Sequence, residues 1–182
     1  IYEKVKDMDG NVIIKEYPTK SASTNTIRAH LDKLKQQGVP IDMIIVDYGD
    51  LLKPANAPRG NEKRHDLESI YEELRAIAQV CECPVWTASQ TNRSGLNAEL
   101  ITMEAISESF NKCFVADFIF SLSRTITDKA KNRGKIFIAK NRNGRDGIPY
   151  TISMDTSNIK LKVIESDLED ASQKPDAKKQ AE

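Results

Sequence analysis

A short run of apolar residues that ends in an acid, Met43 to Asp47 (MIIVD), most constrains the fold of this chain. Four consecutive apolar residues next to turn residues are typical of a strand that is buried on both faces of a parallel sheet. The runs Pro84 to Ala88 (PVWTA) and Phe118 to Leu122 have the same character. Because helical patterns separate the runs, the sequence predicts an α/β fold with a mostly parallel sheet flanked by helices.

The segments between these runs predict the helices. Ser23 or Thr24 can cap a helix that ends before Gly38, and a strand over Val12 to Tyr17 (VIIKEY) is predicted upstream of it. Between residues 62 and 81, five apolar residues fall on one helical face. They are Leu67, Ile70, Leu74, Ile77 and Ala78.

The carboxyl-terminal third has a different pattern. Lys135 to Lys140 and Tyr150 to Met154 bracket a glycine-containing turn, and Ile159 to Val163 alternates as a last strand, so antiparallel hairpins are expected at this edge of the sheet. From Glu165 onward large apolar residues are almost absent, which favours disorder. We therefore expect one domain over residues 1–164 and a disordered polar tail over residues 165–182.

Composition excludes several classes of protein. Three cysteines without a second Cys or His pair do not match a zinc site. No run approaches the roughly 20 apolar residues that cross a bilayer, so we expect a soluble, cytoplasmic protein without membrane contact. The 27 basic and 27 acidic residues cancel, but residues 124–145 hold eight basic residues and one acid. Such a block is usually a solvated face, with nucleic acid or nucleotide phosphate as the minority alternative.

Two polar residues lie where predicted parallel strands end. Ligands bind at the carboxyl ends of strands in such sheets, and both Asp47 and Gln90 fall there. A carboxylate at this position can serve a magnesium ion beside nucleotide phosphates, and an amide can orient a water or contact the terminal phosphate. A turn-capping acid and a surface amide are the alternative interpretations.

Lys140 and Arg142 occupy alternate positions where a strand leaves the sheet, so their side chains project the same way. Two cations side by side can contact nucleic-acid phosphates or reach a nucleotide bound to a neighbouring subunit. An exposed hairpin tip with solubilising charges is the alternative.

Taken in order, four segments resemble the motor domain of DnaB-like hexameric replicative helicases, especially phage versions. They are IIVDYGDLL, PVWTASQTNRSG, SESFNKCFVADFIFSLSR and KIFIAKNRNGRDG, and the resemblance runs from Val12 to about Leu161. It implies a RecA-like P-loop NTPase core that uses ATP and Mg²⁺. It also implies a hexameric ring that translocates on single-stranded DNA to unwind duplex, in a bacterial or phage-infected cell. Primase and a helicase loader are candidate partners.

The resemblance also assigns roles to individual residues. It makes Asp47 the magnesium-associated carboxylate and Gln90 the sensor of the terminal phosphate. It makes Lys140 and Arg142 contacts to ATP on the adjacent subunit, with Arg142 as the arginine finger. The family's DNA loops correspond to residues 52–64 and 93–112, whose candidate contacts are Lys53, Arg59, Lys63, Arg64, Arg93, Ser107, Ser109 and Lys112.

One element of the family is missing from the sequence. No GxxxxGK[ST] motif occurs, and the family's catalytic glutamate is also absent, so we expect this chain by itself to be inactive as an ATPase. Without the central phosphate-loop strand, neighbouring sheet edges are expected to be open. A non-catalytic RecA-fold module that binds nucleic acid or assists assembly, and another RecA-like ATPase such as a recombinase, remain alternatives. The SQxNR and KNRNG segments favour the helicase branch.

Overall fold

A computed structural model describes residues 10–55, 63–91, 98–105, 111–158 and 160–166. Four helices and six strands alternate along the described chain, which confirms the α/β class. The helices are α1 Thr24–Gln36, α2 Lys63–Cys81, α3 Asn111–Val115 and α4 Ile126–Ala130. The strands are β1 Ile44–Val46, β2 Val85–Thr87, β3 Phe118–Ser123, β4 Arg133–Asn141, β5 Ile148–Asp155 and β6 Lys160–Ser166.

The helix α1 begins and ends as its sequence predicts. The Ser23 hydroxyl accepts a hydrogen bond from the Thr26 backbone, and the Thr26 side chain bonds the Ser23 backbone in return, so the first turn has its missing partners. After the helix, Gly38 adopts a φ of +72°, a conformation that glycine reaches without a steric penalty. These two signals lie in the sequence itself, which is why the prediction of this helix is confirmed.

Strands β1 and β2 pair in parallel, with Ile44 opposite Val85 and Val46 opposite Thr87. Their carboxyl ends therefore lie side by side. The helix α2 covers them through the apolar face predicted from its spacing, and Ile70 is only 1% exposed. The core cluster consists of Leu31, Ile44, Ile70, Leu74, Ile77 and Cys83. Burying a side chain of this size contributes roughly 2 kcal/mol, so the cluster holds both strands against α1 and α2.

Strands β3 to β6 form an antiparallel sheet in the order β3-β4-β5-β6, which confirms the predicted hairpins. Gly147, at a φ of +70°, lies in the connection between β4 and β5. Strand β6 extends to Ser166, and Glu165 and Ser166 pair with β5, so the expected start of the tail at residue 165 is two residues early. The rest of the predicted tail, residues 167–182, lies outside the described residues.

The strand predicted over Val12 to Tyr17 is wrong. This segment has no regular secondary structure, and Val12 and Ile14 are 78% and 87% exposed. A strand needs a neighbour to bond with, and no described strand pairs with this segment. Among the described strands, parallel pairing is confined to β1 and β2, and an isolated parallel bridge joins Ser23 to Lys53.

An open apolar cleft of about 830 Å³ separates β2 from β3 beneath α2. The ring of Trp86 meets those of Phe118 and Phe120 edge-on across it, with centroids 6.1 Å apart in both cases. Among the strands that the structure describes, β2 pairs with β1 alone and β3 with β4 alone. Each strand therefore has an edge without a strand partner at this cleft. Within the described ranges, no helix combines the length and apolar character required to span a bilayer.

Candidate functional site

The ends of β1 and β2 bring Asp47 and Gln90 to the same edge of the parallel pair. Asp47 follows β1 directly and is exposed, and its carboxylate has no hydrogen bond or ion pair with any residue in the described part of the chain. Gln90 lies three residues beyond β2, and its Nε2 donates to the Tyr48 hydroxyl at 2.7 Å. The Gln90 amide is thus held beside the residue that follows Asp47.

A second contact binds the two strand ends to each other. The Thr87 hydroxyl donates to the Val46 carbonyl at 2.9 Å and accepts from the Gly49 backbone N–H at 2.8 Å. The approach is close: a Cβ on Gly49 would lie 3.2 Å from the Thr87 hydroxyl and 3.3 Å from the Tyr71 ring. A glycine at position 49 is therefore what lets the segment after Asp47 pack against β2.

Behind this edge lies a polar group that the sequence did not indicate, and we call it the Asp50 cluster: Asp50, Tyr71, Ser89 and Lys112. The Tyr71 hydroxyl donates to Asp50 at 2.8 Å, and the Ser89 hydroxyl does so at 3.0 Å. The Lys112 ammonium lies 3.2 Å from Asp50 and donates to Ser89 at 2.6 Å. Burial and the adjacent Asp50 charge raise the pKa of Tyr71 well above its ordinary value.

The Asp50 cluster corrects one expectation. Lys112 was predicted as a contact to the DNA backbone, but its side chain is 3% exposed and its ammonium is taken up by Asp50 and Ser89. A buried charge in such contacts is not available to a phosphate in this conformation. Asp50 and Lys112 are 62 residues apart in the chain, so spacing carries no signal of their pairing.

The cations at the end of β4 are near each other, as predicted, and both contact the end of α3. The Lys140 ammonium donates to the carbonyls of Cys113 and Phe114 at 2.7 and 3.1 Å. Arg142 lies 3.0 Å from the Asp117 carboxylate and donates to the Phe114 carbonyl at 2.8 Å. Burial, and then the neighbouring Arg142 charge, lower the pKa of Lys140.

Arg75 of α2 completes this group, donating to the Val115 carbonyl at 2.5 Å and to Asp117 at 2.9 Å. Three cations thus meet the carbonyls at the carboxyl end of α3, which is the end of a helix that favours positive charge. The polar contacts of Lys140 and Arg142 are with this end of α3 and with Asp117. Within the described residues, neither cation makes a polar contact with Asp47 or Gln90.

Most of the candidate DNA contacts lie outside the described residues. Lys53 is exposed, and its backbone N–H donates to the Ala22 carbonyl at 2.8 Å, which ties the segment after β1 to the start of α1. The side chains of Lys63 and Arg64, in the first turn of α2, lie outside the described residues. So do the whole residues Arg59, Arg93, Ser107 and Ser109.

The strand ends can be tested against the requirements of a metal ion. Across the described ranges, no three His, Cys, Asp or Glu side chains form a group that could hold a metal ion. Magnesium in nucleotide sites has a lower requirement, since one or two carboxylates suffice when phosphates and waters supply the remaining oxygens. The exposed Asp47 carboxylate, at the carboxyl end of a parallel strand, meets that requirement.

Comparison with known proteins gives consistent results. Residues 1–158 match the family model described as "DnaB-like helicase C terminal domain". The chain is 35% identical over 138 residues to a DnaB-like replicative helicase of Enterobacteria phage T4, covering 74% of this chain and 29% of that protein. It is 32% identical over 135 residues to the replicative DNA helicase DnaB of Geobacillus stearothermophilus, covering 71% and 29%.

Solved structures show the same fold. The ATPase domain of G40P superposes with a TM-score of 0.68 at 23% identity, covering 79% of this chain and 52% of the other. A DnaB-like replicative helicase, whose structure was described with its interactions with primase, gives a TM-score of 0.64 at 23% identity and covers 74% and 34%. The RecA-like fold expected from the sequence is thereby confirmed. The chain spans 29% of the length of the curated relatives it matches.

Proposed function

Since residues 1–158 match its family model, the chain belongs to the DnaB-like helicase C-terminal domain family, and we propose that it is part of the ATP-driven motor of a replicative DNA helicase. In this proposal the motor assembles as a ring, moves along single-stranded DNA and unwinds duplex. The observation that carries the proposal is the pairing of β1 with β2, which puts Asp47 and Gln90 at one edge.

Asp47 and Gln90 have complementary tasks at this edge. Asp47 would hold the waters or the ion beside the phosphates, because its carboxylate is exposed and not neutralised by a neighbouring cation in the described chain. Mg²⁺ bound with ATP supplies neutralisation of the phosphate charge. Gln90 would orient the attacking water or detect the terminal phosphate, and its bond to Tyr48 holds the amide in position.

Lys140 and Arg142 would act on the nucleotide of an adjacent subunit. Their polar contacts within the described chain are with α3 and Asp117 and include neither Asp47 nor Gln90, which supports a role in trans. Arg142 is 46% exposed, so its guanidinium can be reached from outside the chain. A guanidinium delivered this way stabilises charge that develops on the transferred phosphoryl group.

The cleft between β2 and β3 supports a role as part of a larger domain. Two strands with open edges and facing aromatic rings form a surface that an additional apolar strand can complete. We assign that strand to the remainder of the motor domain, which also brings the phosphate-binding loop that this sequence lacks. Hydrolysis of ATP then belongs to the longer protein.

The test compares two proteins: this chain, and a long form in which the amino-terminal half of a DnaB-like motor domain precedes it. We expect ATP turnover in the long form alone, with stimulation by single-stranded DNA. If neither protein hydrolyses ATP while DNA still binds, a non-catalytic RecA-fold module becomes the better account. DNA-stimulated turnover that drives strand exchange but does not unwind duplex would favour a recombinase.

DNA binding is tested through the basic residues after β1. Changing Lys53, Lys63 and Arg64 together to Ala in the long form should weaken single-stranded DNA binding and lower the slope of log Kd against log salt. Each lost phosphate contact reduces the slope by about 0.7 on single strands. A matched triple change of Lys33, Lys35 and Lys160, exposed lysines outside the basic block, is the control. An unchanged slope would remove the first loop from the DNA path.

A further inference from the structure

The Asp50 cluster joins elements that the proposed function treats separately. Asp50 lies three residues after Asp47, and Ser89 directly precedes Gln90, so the cluster lies immediately behind both proposed nucleotide contacts. Lys112 approaches from α3, a different element, and its ammonium bridges Asp50 and Ser89. One lysine therefore fastens α3 to the ends of both parallel strands.

Both charged side chains of the Lys112–Asp50 contact are largely buried. Lys112 is 3% exposed and Asp50 17%, so water competes little for either charge. The ammonium also lies 5.4 Å from the centroid of the Tyr71 ring, a favourable position for a cation. Tyr71 and Ser89 also donate to the Asp50 carboxylate. Lys112, its partner of opposite charge in this cluster, is supplied by α3.

The two residues of α3 that follow Lys112 are attached as well. The carbonyls of Cys113 and Phe114 accept from Lys140 and Arg142, the residues proposed to act on a neighbour's nucleotide. A helix of five residues thus contacts the strand ends on one side and the β4 cations on the other. Withdrawal of Lys140 and Arg142 toward a neighbour would release one attachment and leave Lys112 as the other.

We propose that Lys112 is a positioning residue that couples the strand ends carrying Asp47 and Gln90 to α3, and through α3 to Lys140 and Arg142. The proposal rests on the proposed function. Movement of α3 would then change the position of both nucleotide contacts in the same chain. Lys112 itself touches neither nucleotide nor DNA.

The test measures coupling separately from folding, in the long form defined above. Lys112→Met and Asp50→Asn each leave a buried partner unmatched, whereas the double variant removes both charges and should fold. Basal ATPase, stimulation by single-stranded DNA and Tm are measured for each. Lys129→Met, an exposed lysine of α4, is the matched control.

We expect the double variant to recover most of the Tm lost in either single variant but not the DNA stimulation, which should be reduced about tenfold against the wild-type ratio. Lys112→Arg keeps the charge with a different reach and should retain the wild-type Tm with about a threefold loss of stimulation. Recovery of Tm and stimulation together in the double variant would mean that the pair is structural only.

Two further outcomes separate the proposals. If the wild-type long form does not hydrolyse ATP, the proposed function fails and this coupling fails with it. If the wild type is active and every folded variant is stimulated like the wild type, the coupling alone is overturned. If the double variant does not fold, Lys112→Arg is used instead. Reduced stimulation by DNA at the wild-type Tm supports the coupling, and wild-type stimulation overturns it.

Discussion

The carboxyl end of β1 carries a negative charge and the end of β4 carries positive charges. The two ends differ in whether these charges already have partners in the described chain. At β1, Asp47 is exposed and makes no polar contact with the described chain, so nothing has to break before it can act. At β4, Lys140 and Arg142 are bound to carbonyls of α3 and to Asp117. In the proposed trans role, Lys140 and Arg142 would have to exchange these contacts for new ones, so their action would be tied to the position of α3.

The largest effect is expected at Arg142, for which we propose a role in trans. Arg142→Ala in the long form should reduce ATP turnover by about a thousandfold or more while leaving nucleotide binding largely intact. Steady-state ATPase and equilibrium binding of a fluorescent nucleotide measure the two properties. Arg145→Ala, three residues further along the hairpin, is the control. Loss of nucleotide binding would contradict a trans finger and make Arg142 an anchor of α3.

A smaller effect should distinguish two aspartates that follow the same strand. Asp47→Asn should lower turnover about a hundredfold and leave Tm unchanged, because the lost charge has no partner in the described chain. Asp50→Asn should instead lower the free energy of unfolding by about 3 kcal/mol, because the buried Lys112 ammonium loses its counter-charge.

Turnover at saturating Mg²⁺ and urea denaturation measure these two responses. The same result for both variants would remove the distinction between a carboxylate at the open edge and one in the Asp50 cluster. A lower Tm in the Asp47→Asn variant would show that Asp47 has a structural partner.

The smallest effect concerns an exposed carboxylate that, unlike Asp47, is fully hydrogen bonded. Asp155 accepts from the backbone and hydroxyl of Ser157 and from Asn158, and these bonds lower the pKa of Asp155 to about 2. Its ordinary value is 3.8, so the contribution to stability is present above about pH 4 and is lost as pH falls through about 2.

The contribution of Asp155 to stability is tested by thermal unfolding of this chain and of its Asp155→Asn variant between pH 2 and 6. The wild type should be more stable by about 2 °C or less near pH 6, and the difference should disappear toward pH 2. A difference that persists at pH 2 would show that the carboxylate charge is not its source.

Local signals account for most of what could be predicted. Ser23 caps α1, the apolar face of α2 includes Ile70 and Leu74, and the alternation after residue 133 becomes a meander of hairpins. These signals act within a few residues, so the sequence displays them directly. Val12 to Tyr17 had a strand's composition, but no strand in the described part of the chain pairs with it, and composition cannot supply a partner.

The site divides in the same way. Asp47 and Gln90 could be found because each follows a recognisable apolar strand, and parallel strands bring their carboxyl ends to one edge. The expected burial of these strands on both faces was wrong, since Ile45 and Trp86 are 72% and 41% exposed. The Asp50 cluster could not be found, because Tyr71, Ser89 and Lys112 come from three separate segments. Lys112 is an example. Its place in a predicted DNA loop indicated a contact with DNA, and only its neighbours in space show that its side chain is buried.

By itself, the sequence determined the type and order of the elements, the family and the positions of Asp47, Gln90, Lys140 and Arg142, because these depend on periodicity, turns and motifs within short segments. Only the tertiary structure decided which charges are open and which are occupied. That Asp47 lies exposed while Lys112 lies buried, and that Lys140 and Arg142 bond α3, follows from packing between residues dozens of positions apart. Burial and pairing are properties of distance in space, and spacing along the chain does not record them.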